Sequence, residues 1–334
     1  MLDGLTGIAI IFFLLAKYRN DKIAEEKGVF LLEWVSENGA NANDLNFGTG
    51  LTGIGWAIEW LVQNGLMTDT NTDEILDPID SLLYNIVSYS KDENFSLLTG
   101  TLGKIEYFRR RAMSNNPGTH RYKTIGHLEC IVLLLDDLAN QIPEIINLYE
   151  DKDKYCNNII MKNSLFDLGS ILTSISSINI NTNTPTLGHI LFNGIKYCEA
   201  ILSNAKFNNS QKDEQYSLDI TYLATTYLIS AKNKKNKYWE ERAIGYTNDF
   251  IQFMPDNTKL TMKQLFQKMN IYCMLYIYLR ETSYSSIIEE LKDLLYTFKL
   301  PFTLFEGKGT LVLAELCLEA PDLIQQWYEL FFFA

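Results

Sequence analysis

The stretch NFGTGLTGIGWAIEW, residues 46–60, decides the fold of this chain, because it joins a glycine-rich turn directly to an apolar helical pattern. Much of the stretch occurs twice more, as DGLTGIAIIFFLL at 3–15 and as LLTGTLGKIEYF at 97–108. A glycine-rich turn followed by an apolar helix is therefore a recurring unit of this sequence.

The recurrence has a nearly constant period. Gly53 follows Gly4 after 49 residues, and Gly103 follows Gly53 after 50 residues. A period of this size is typical of an array of supersecondary units, none of which can bury its apolar face alone.

Each unit is predicted to be a helical hairpin. Apolar residues recur every three or four positions in 51–64, as on a helix, whereas the helix predicted at 21–38 is more polar. Such a pair packs best in two concentric layers, with the apolar helix inside. The segment 170–181 contains many β-branched residues, but helical patterns flank it, and we predict an all-α chain.

The helical patterns can be counted in two sets. Seven apolar helices are predicted for the inner layer at 5–18, 51–64, 101–112, 165–178, 218–232, 264–281 and 308–320, and seven outer helices at 22–37, 75–90, 124–141, 187–204, 238–254, 285–298 and 322–333. The chain opens on an inner helix and closes on an outer one. We therefore expect the last helix to pack beside the first and to close a ring that forms one domain over residues 1–334.

The charge balance limits the possible partners. The 334 residues carry a formal net charge of −12 at pH 7. Nucleic acids and anionic membrane surfaces require a basic face, so neither is expected as a partner. The short basic runs at 109–111 and 232–237 lie near acidic residues, and we expect them to be solvated at helix ends or turns.

The cysteines indicate a reducing compartment. There are five, an odd number, and they are widely spaced and mostly within apolar helical stretches, as buried free thiols are. The apolar run Ile8–Ala16 is too short to span a membrane and has no basic residue before it, so we interpret it as a core helix. These features predict a cytoplasmic protein.

Four stretches carry a resemblance to a known family. GLTGI at 4–8, GLTGIGWAIEWL at 50–61, TGTLGKIEYF at 99–108 and TLFEGKGTLVLAEL at 303–316 resemble the repeats of the lanthionine synthetase C-like family. The resemblance implies an α/α toroid of seven inner and seven outer helices, which agrees with the count of predicted helices.

The chemistry of that family does not transfer to this sequence. The resemblance implies zinc enzymes that add cysteine thiols to dehydrated serines or threonines of a precursor peptide, with Cys, Cys and His ligands before the fifth and sixth inner helices. The corresponding stretches here are DEQYSLDITYL at 213–223 and DNTKLTMKQLF at 256–266, and neither contains Cys or His. A catalytic zinc needs three protein ligands, so we expect no zinc site and no cofactor.

One other group of residues could hold a metal. His120, His127 and Cys130 form the densest His/Cys cluster, and His127 and Cys130 would share a helix face. Two ligands on one helix are a weak signal, and a histidine beside a core thiol is the simpler interpretation.

A binding surface is expected at the mouth of the ring. Aromatic and acidic side chains are predicted there: Trp56, Tyr216, Asp219, Tyr222 and Glu306. Asp219, Glu306 and Glu315, near the mouth or on inner helices, are the candidates for a carboxylate pair, and the sequence does not choose between them. Glycoside hydrolases act with a pair of carboxylates, but acidic residues near helix starts usually serve the helix dipole.

Two functions remain open from the sequence. The first is a non-catalytic accessory protein that binds a modified precursor peptide or a peptide-modifying partner enzyme. The second is a metal-independent enzyme acting in the same cavity, either peptide cyclase-like or glycoside hydrolase-like. A facing carboxylate pair with raised pKa would favour the enzyme, and a surface of aromatic and amide side chains would favour the binding protein.

Overall fold

The computed structural model describes residues 2–39, 44–68, 70–92, 94–116, 121–150, 159–178, 185–207 and 213–324. All regular structure within these ranges is helical, which confirms the prediction of an all-α chain. The β-branched segment near 170 is part of a helix, Ile159–Ser177, and not a strand.

The chain separates into two compact units, and the single domain expected over residues 1–334 stays a prediction. The first unit comprises Met1–Leu138 and Pro301–Gly309, and the second comprises Ala139–Leu300 and Thr310–Ala334.

The first unit begins with a π-helical turn, Leu2–Thr6. Its helices are α1 Gly7–Arg19, α2 Lys22–Gly39, α3 Leu51–Gln63, α4 Thr72–Ile75, α5 Asp77–Tyr89 and α6 Thr101–Ala112, and α7 Arg121–Glu150 starts here and ends in the second unit. Helix α1 packs against α2, and α3 packs against α6.

The second unit contains the remaining helices. These are α8 Ile159–Ser177, α9 Pro185–Phe207, α10 Glu214–Asn233, α11 Lys237–Ile251, α12 Met262–Leu279, α13 Thr282–Tyr296, α14 Lys308–Glu319, whose first two residues belong to the first unit, and α15 Pro321–Ile324. Helix α10 packs against α8, α11 and α12, and all of its residues from Leu218 to Ala231 are buried. Its neighbour α11 buries only one face, as the predicted difference between apolar and polar helices requires.

Each helix predicted up to residue 320 corresponds to one of these helices. The last predicted helix, 322–333, has only its first residues in α15, and residues 325–334 lie outside the described part of the chain. Its packing beside the first helix therefore stays a prediction.

Three glycine-rich loops each contain a hydrogen bond of the same type. The first residue of the following helix donates its amide N–H to a carbonyl seven residues earlier in three loops: Leu51 to Asp44 at 2.9 Å, Thr101 to Asn94 at 2.8 Å, and Lys308 to Pro301 at 3.0 Å. The segment 301–309 is thus a further copy of the loop, as its sequence indicates.

Four loops of the first unit lie side by side: the N-terminal turn 2–6 and the loops 44–50, 94–100 and 301–309. Single backbone hydrogen bonds join each loop to the next. The Leu304 amide donates to the Asp3 carbonyl at 3.2 Å, the Asp3 amide to Gly48 at 3.2 Å, and the Gly48 amide to Leu98 at 2.9 Å. The Asp3 carboxylate also accepts the Phe305 amide at 2.9 Å. The loop 301–309 is therefore the neighbour of the N-terminal loop.

The structure corrects the alignment of the repeat. A Cβ atom added to Gly7, Gly53 or Gly103 would lie 2.0, 1.8 and 2.4 Å from the carbonyl oxygens of the residues at 2, 47 and 97. Gly7 is therefore the counterpart of Gly53, and Gly4 lies within the π-helical turn of the first loop. The identical GLTGI at 4–8 and 50–54 gives the same pairing, so the spacings between Gly7, Gly53 and Gly103 are 46 and 50 residues.

No helix within the described ranges combines the length and the apolar character that crossing a bilayer requires.

Substituting a loop glycine tests this close approach. Gly53→Ala would place its methyl group 1.8 Å from the Phe47 carbonyl oxygen, so we expect the free energy of unfolding to fall by about 3 kcal/mol or more. The matched control is Gly245→Ala, in an exposed part of α11 where a Cβ meets no atom within 4 Å. It should raise the stability by about 0.5–1 kcal/mol. Urea unfolding followed by circular dichroism measures both, and equal effects of the two substitutions would contradict the close approach.

Candidate functional site

A cluster of buried charges lies in the first unit, around Arg111. Arg109 and Arg111 are 4% and 1% exposed, so the prediction that the run 109–111 is solvated is wrong. Both side chains find carboxylates inside the unit: Arg109 donates from Nη2 to Glu106 at 2.6 Å, within α6. The sequence signal failed because burial of a cation depends on acids from other helices.

The Arg111 guanidinium joins three acidic residues. It donates from Nη1 to Glu59 Oε2 at 2.7 Å, and from Nη2 to Asp73 Oδ1 at 3.0 Å and Asp80 Oδ2 at 2.6 Å. Glu59 belongs to α3, Asp73 to α4 and Asp80 to α5, so one side chain of α6 connects four helices.

Asp80 is the most heavily hydrogen-bonded acid of the cluster. It accepts the Tyr107 hydroxyl at 2.6 Å and lies 3.3 Å from His127 Nε2, in addition to the contacts with Arg111. Burial alone would raise the pKa of Asp80, but hydrogen bonds from His127 and Arg111 and their charges hold it well below its usual range. Asp80 is therefore a carboxylate that neutralises Arg111.

The surrounding side chains form further hydrogen bonds with the residues of the cluster. The Asn116 amide donates to Thr72 Oγ1 at 2.8 Å and to Asp73 Oδ1 at 3.0 Å. Lys123 Nζ donates to the Asp73 carbonyl at 2.6 Å and to Asp77 at 2.7 Å. Since a guanidinium already occupies the centre, the acids have no place for a second cation, and we assign the cluster a structural role.

Two of the three predicted metal candidates, His127 and Cys130, belong to this region. His127 lies against Asp80 and the Phe108 ring, and burial, followed by the charges of Glu129 and Asp80, raises the pKa of the Cys130 thiol to about 12. A metal ligand must be a thiolate, which this environment disfavours. His120 lies outside the described residues. Within the described ranges, no three or more His, Cys, Asp or Glu side chains are placed to hold a metal ion.

The described cysteines are free and buried, as the sequence predicted: Cys130, Cys198, Cys273 and Cys317. Burial raises the pKa of the thiols of Cys198 and Cys273 well above their usual range. Cys156 lies outside the described residues. These thiols are poor nucleophiles and poor ligands.

A second polar cluster lies in the second unit, where α10 and α12 begin. Asp219 Oδ1 accepts amide hydrogens from Gln215 and Gln267, each at 2.8 Å. Gln215 Nε2 also lies 2.8 Å from Gln267 Oε1, and Gln264 donates to Gln215 Oε1 at 3.2 Å. The three glutamines are partly exposed, whereas Asp219 is only 4% exposed. We call these four residues the glutamine cluster.

An aromatic pair lies next to this cluster on α8 and α10. The rings of Phe166 and Tyr222 stack with centroids 4.9 Å apart, and the Tyr222 hydroxyl lies 3.3 Å from Ser170 Oγ. Burial raises the pKa of Tyr222, and the negative charges of Asp167 and Asp219 raise it further. Both carboxylates are therefore near this phenol.

Asp167 has an unusual environment for a carboxyl group. Burial raises its pKa to about 7, and no hydrogen bond to Asp167 occurs within the described part of the chain. It is partly exposed and can exchange protons with solvent. Asp167 is a proton donor or acceptor poised near neutral pH.

The predicted mouth residues have different environments. Tyr216 is partly exposed in the first turn of α10, and Tyr222 is buried beside Asp219. In the first unit, Trp56 is fully buried and stacks on Trp60 with centroids 6.1 Å apart. Trp56 is a core residue there.

The other predicted acids lie at helix ends or pair with neighbouring residues. Glu306 is partly exposed in the loop 301–309, with a left-handed φ of 47°. Glu315 of α14 accepts the Tyr296 hydroxyl at 2.8 Å. Burial and this hydrogen bond raise the pKa of Tyr296 to about 12.

Sequence reasoning missed the glutamines and Asp167. The only signal for Asp167 is an acidic residue between apolar neighbours, in SLFDLG at 164–169. The glutamines carry no signal, because an amide at a helix start is common and its partners lie on another helix.

No protein-family profile matches the chain, and no curated protein matches it.

Removing the central cation tests the structural role of the first cluster. Arg111→Met leaves the acids of Glu59, Asp73 and Asp80 buried without their cation, so we expect a loss of stability of about 3–5 kcal/mol. The control Arg121→Met, at an exposed position, should change it by less than about 0.5 kcal/mol. Adding Asp80→Asn to Arg111→Met should recover part of the loss. A double variant with fully additive losses would show that the two groups do not interact.

Proposed function

We propose that this chain is a peptide-binding protein with an α/α-toroid fold similar to that of the lanthionine synthetase C-like family, and that it acts without zinc. Its role would be that of an accessory protein for a modified precursor peptide or a peptide-modifying enzyme. The glutamine cluster is the observation that carries this proposal.

The cluster lies where the resemblance implies the zinc ligands. The two stretches 213–223 and 256–266 are far apart in sequence, yet Gln215 and Asp219 of the first contact Gln264 of the second and its neighbour Gln267. This proximity supports the resemblance, since a shared site would require the two stretches to meet. Amides in place of Cys and His replace metal coordination with hydrogen bonding.

Amide side chains suit a peptide ligand. Each glutamine offers both a donor and an acceptor, which is what a peptide main chain offers in return. The partly exposed Phe166 ring, which stacks on the buried Tyr222, and the partly exposed Tyr216 add apolar contact area beside them. The net charge of −12 favours a basic or neutral peptide over an acidic one.

Peptide selection tests the proposal. A display library of short random peptides is selected on the purified protein, and the enriched peptides are then measured against Gln267→Leu by fluorescence anisotropy. Losing this amide removes a donor to Asp219 and to the ligand, so the affinity should fall about tenfold. The control Gln252→Leu, exposed at the end of α11, should leave the affinity unchanged. Enriched peptides that bind both variants equally would place the binding surface elsewhere.

A second candidate function is a metal-independent acid–base enzyme in the same region. It is favoured by one observation, the pKa of about 7 of Asp167. The charges of Asp167 and Asp219 both act on Tyr222. A carboxyl group that is half protonated near neutral pH can act as general acid or base. The sequence offered Asp219, Glu306 and Glu315 as candidate acids without choosing a pair, and Asp167 is a further candidate because its charge and that of Asp219 both act on Tyr222.

The protonation of Asp167 can be followed through the pH dependence of the free energy of unfolding. Because its folded pKa lies above the unfolded value, the native carboxyl keeps its proton between about pH 4 and 7, where the unfolded chain has lost it. The wild-type free energy of unfolding should therefore fall as pH rises through this window. Asp167→Asn lacks this fall, so its free energy of unfolding relative to wild type should rise by about 2 kcal/mol from pH 4 to 8. This is roughly half of what the whole pKa shift would give, because Asp167 is partly exposed and solvent screens its charge.

Urea unfolding at several pH values measures this difference. The control Asp293→Asn, at an exposed position of α13, should show none of the rise. A pH-independent difference for Asp167→Asn would remove the basis for acid–base catalysis at this position.

A further inference from the structure

The outer face of α2 carries an apolar stripe. Ile23, Phe30 and Trp34 are 64%, 64% and 48% exposed on this one helix, in the first unit. None of them contributes to the proposed peptide site, whose residues lie on α8, α10 and α12.

The stripe is not the core face of α2. That face consists of Ala24, Gly28, Leu32 and Val35, which are buried, and the helix packs with it against α1. A Cβ atom on Gly28 would lie 3.0 Å from the Phe13 ring, so the two helices are in close contact there. A helix that buries one face normally has a polar opposite face, so a second apolar stripe needs its own explanation.

The spacing of the stripe is that of a helix-pairing seam. Residues 23, 27, 30, 34 and 37 alternate by four and three positions, the a and d positions of a heptad. Three of the five are the exposed apolar residues. Lys27 lies in the seam with its ammonium group 5.6 Å from the Phe12 ring centroid, and Glu37 ends the seam. A seam of this kind is complementary to one other helix rather than to a flat surface.

Acidic residues flank the seam. Glu26 and Glu33 directly precede the seam positions 27 and 34, where charged residues of paired helices meet. Both are exposed, and neither forms an ion pair within the described part of the chain. The complementary helix therefore carries lysine or arginine at the facing positions.

We infer that this face of α2 binds an amphipathic, basic helix of a partner protein. The partner presents an apolar seam to Ile23, Phe30 and Trp34 and cations to Glu26 and Glu33. A second copy of the chain does not fit, because its α2 would offer only carboxylates or the uncharged residues at 24, 31 and 38 to those acids. The net charge of −12 also opposes self-association and favours a cationic partner.

Binding of a designed helix to the whole chain tests the inference. The probe is a dye-labelled synthetic helical peptide with leucines at the seam positions and lysines beside them, measured by fluorescence anisotropy. A scrambled peptide of the same composition controls for unspecific attraction between opposite charges. We expect micromolar affinity for the probe and at least about tenfold weaker binding of the scrambled peptide.

Matched variants locate the surface. The stripe variant Phe30→Gln/Trp34→Gln should weaken probe binding at least about tenfold, whereas Phe192→Gln, an aromatic residue 61% exposed on α9, should leave it unchanged. Glu26→Gln/Glu33→Gln should weaken binding about three- to tenfold and reduce its dependence on salt. Circular dichroism checks that each variant folds, which we expect since all of these side chains are exposed.

Three results would overturn the inference. They are equal binding of the scrambled peptide, unchanged binding by the stripe variant, and a concentration-dependent dimer of the wild-type chain in sedimentation equilibrium that the stripe variant abolishes. The last result would assign the face to a second copy of the chain. A wild-type chain that stays monomeric while binding the probe through the stripe supports the basic partner helix.

Discussion

The lack of room for a Cβ atom at Gly7, Gly53 and Gly103 is the constraint on which the first unit depends. Each glycine lets a helix start against a carbonyl oxygen of its own loop, at a distance that no side chain tolerates. Because the loops then have nearly the same shape, they can stack through one backbone hydrogen bond per step. The stack in turn places α3 and α6 in a fixed register beside each other.

That register determines which side chains meet. Glu59 and Arg111 are 52 residues apart and pair across the packed helices α3 and α6. The same separation joins Ser170 to Tyr222 and Gln215 to Gln267 in the second unit. Both polar clusters therefore contain side chains about 50 residues apart that meet across packed helices, although one cluster is buried and structural and the other is partly exposed.

The helices were predictable because burial leaves a period of three to four residues in the sequence, and each apolar run was long enough to show it. The loop at 301–309 was also recognisable, since its glycines repeat the local spacing. The burial of Arg111 was not predictable, because the favourable environment of a cation comes from three acids on three other helices. The glutamines were missed for the same reason, because their partners lie about 50 residues away. Asp167 was missed because its raised pKa comes from burial, which has no local sequence pattern.

The packing of α10 against α12 determines where a site can lie, whereas the polar residues at the starts of these helices determine its chemistry. Helix packing brings the starts of these helices together through residues such as Leu218 and Leu265, which are buried whatever the polar residues beside them are. Soft ligands at those starts would make a metal site, whereas glutamines around Asp219 make a hydrogen-bonding surface. The same helix packing can therefore carry either kind of site. The buried thiols agree with this argument, because cysteines with raised pKa values contribute to packing rather than to metal binding. The polar groups at the starts of α10 and α12 are instead amides and a carboxylate.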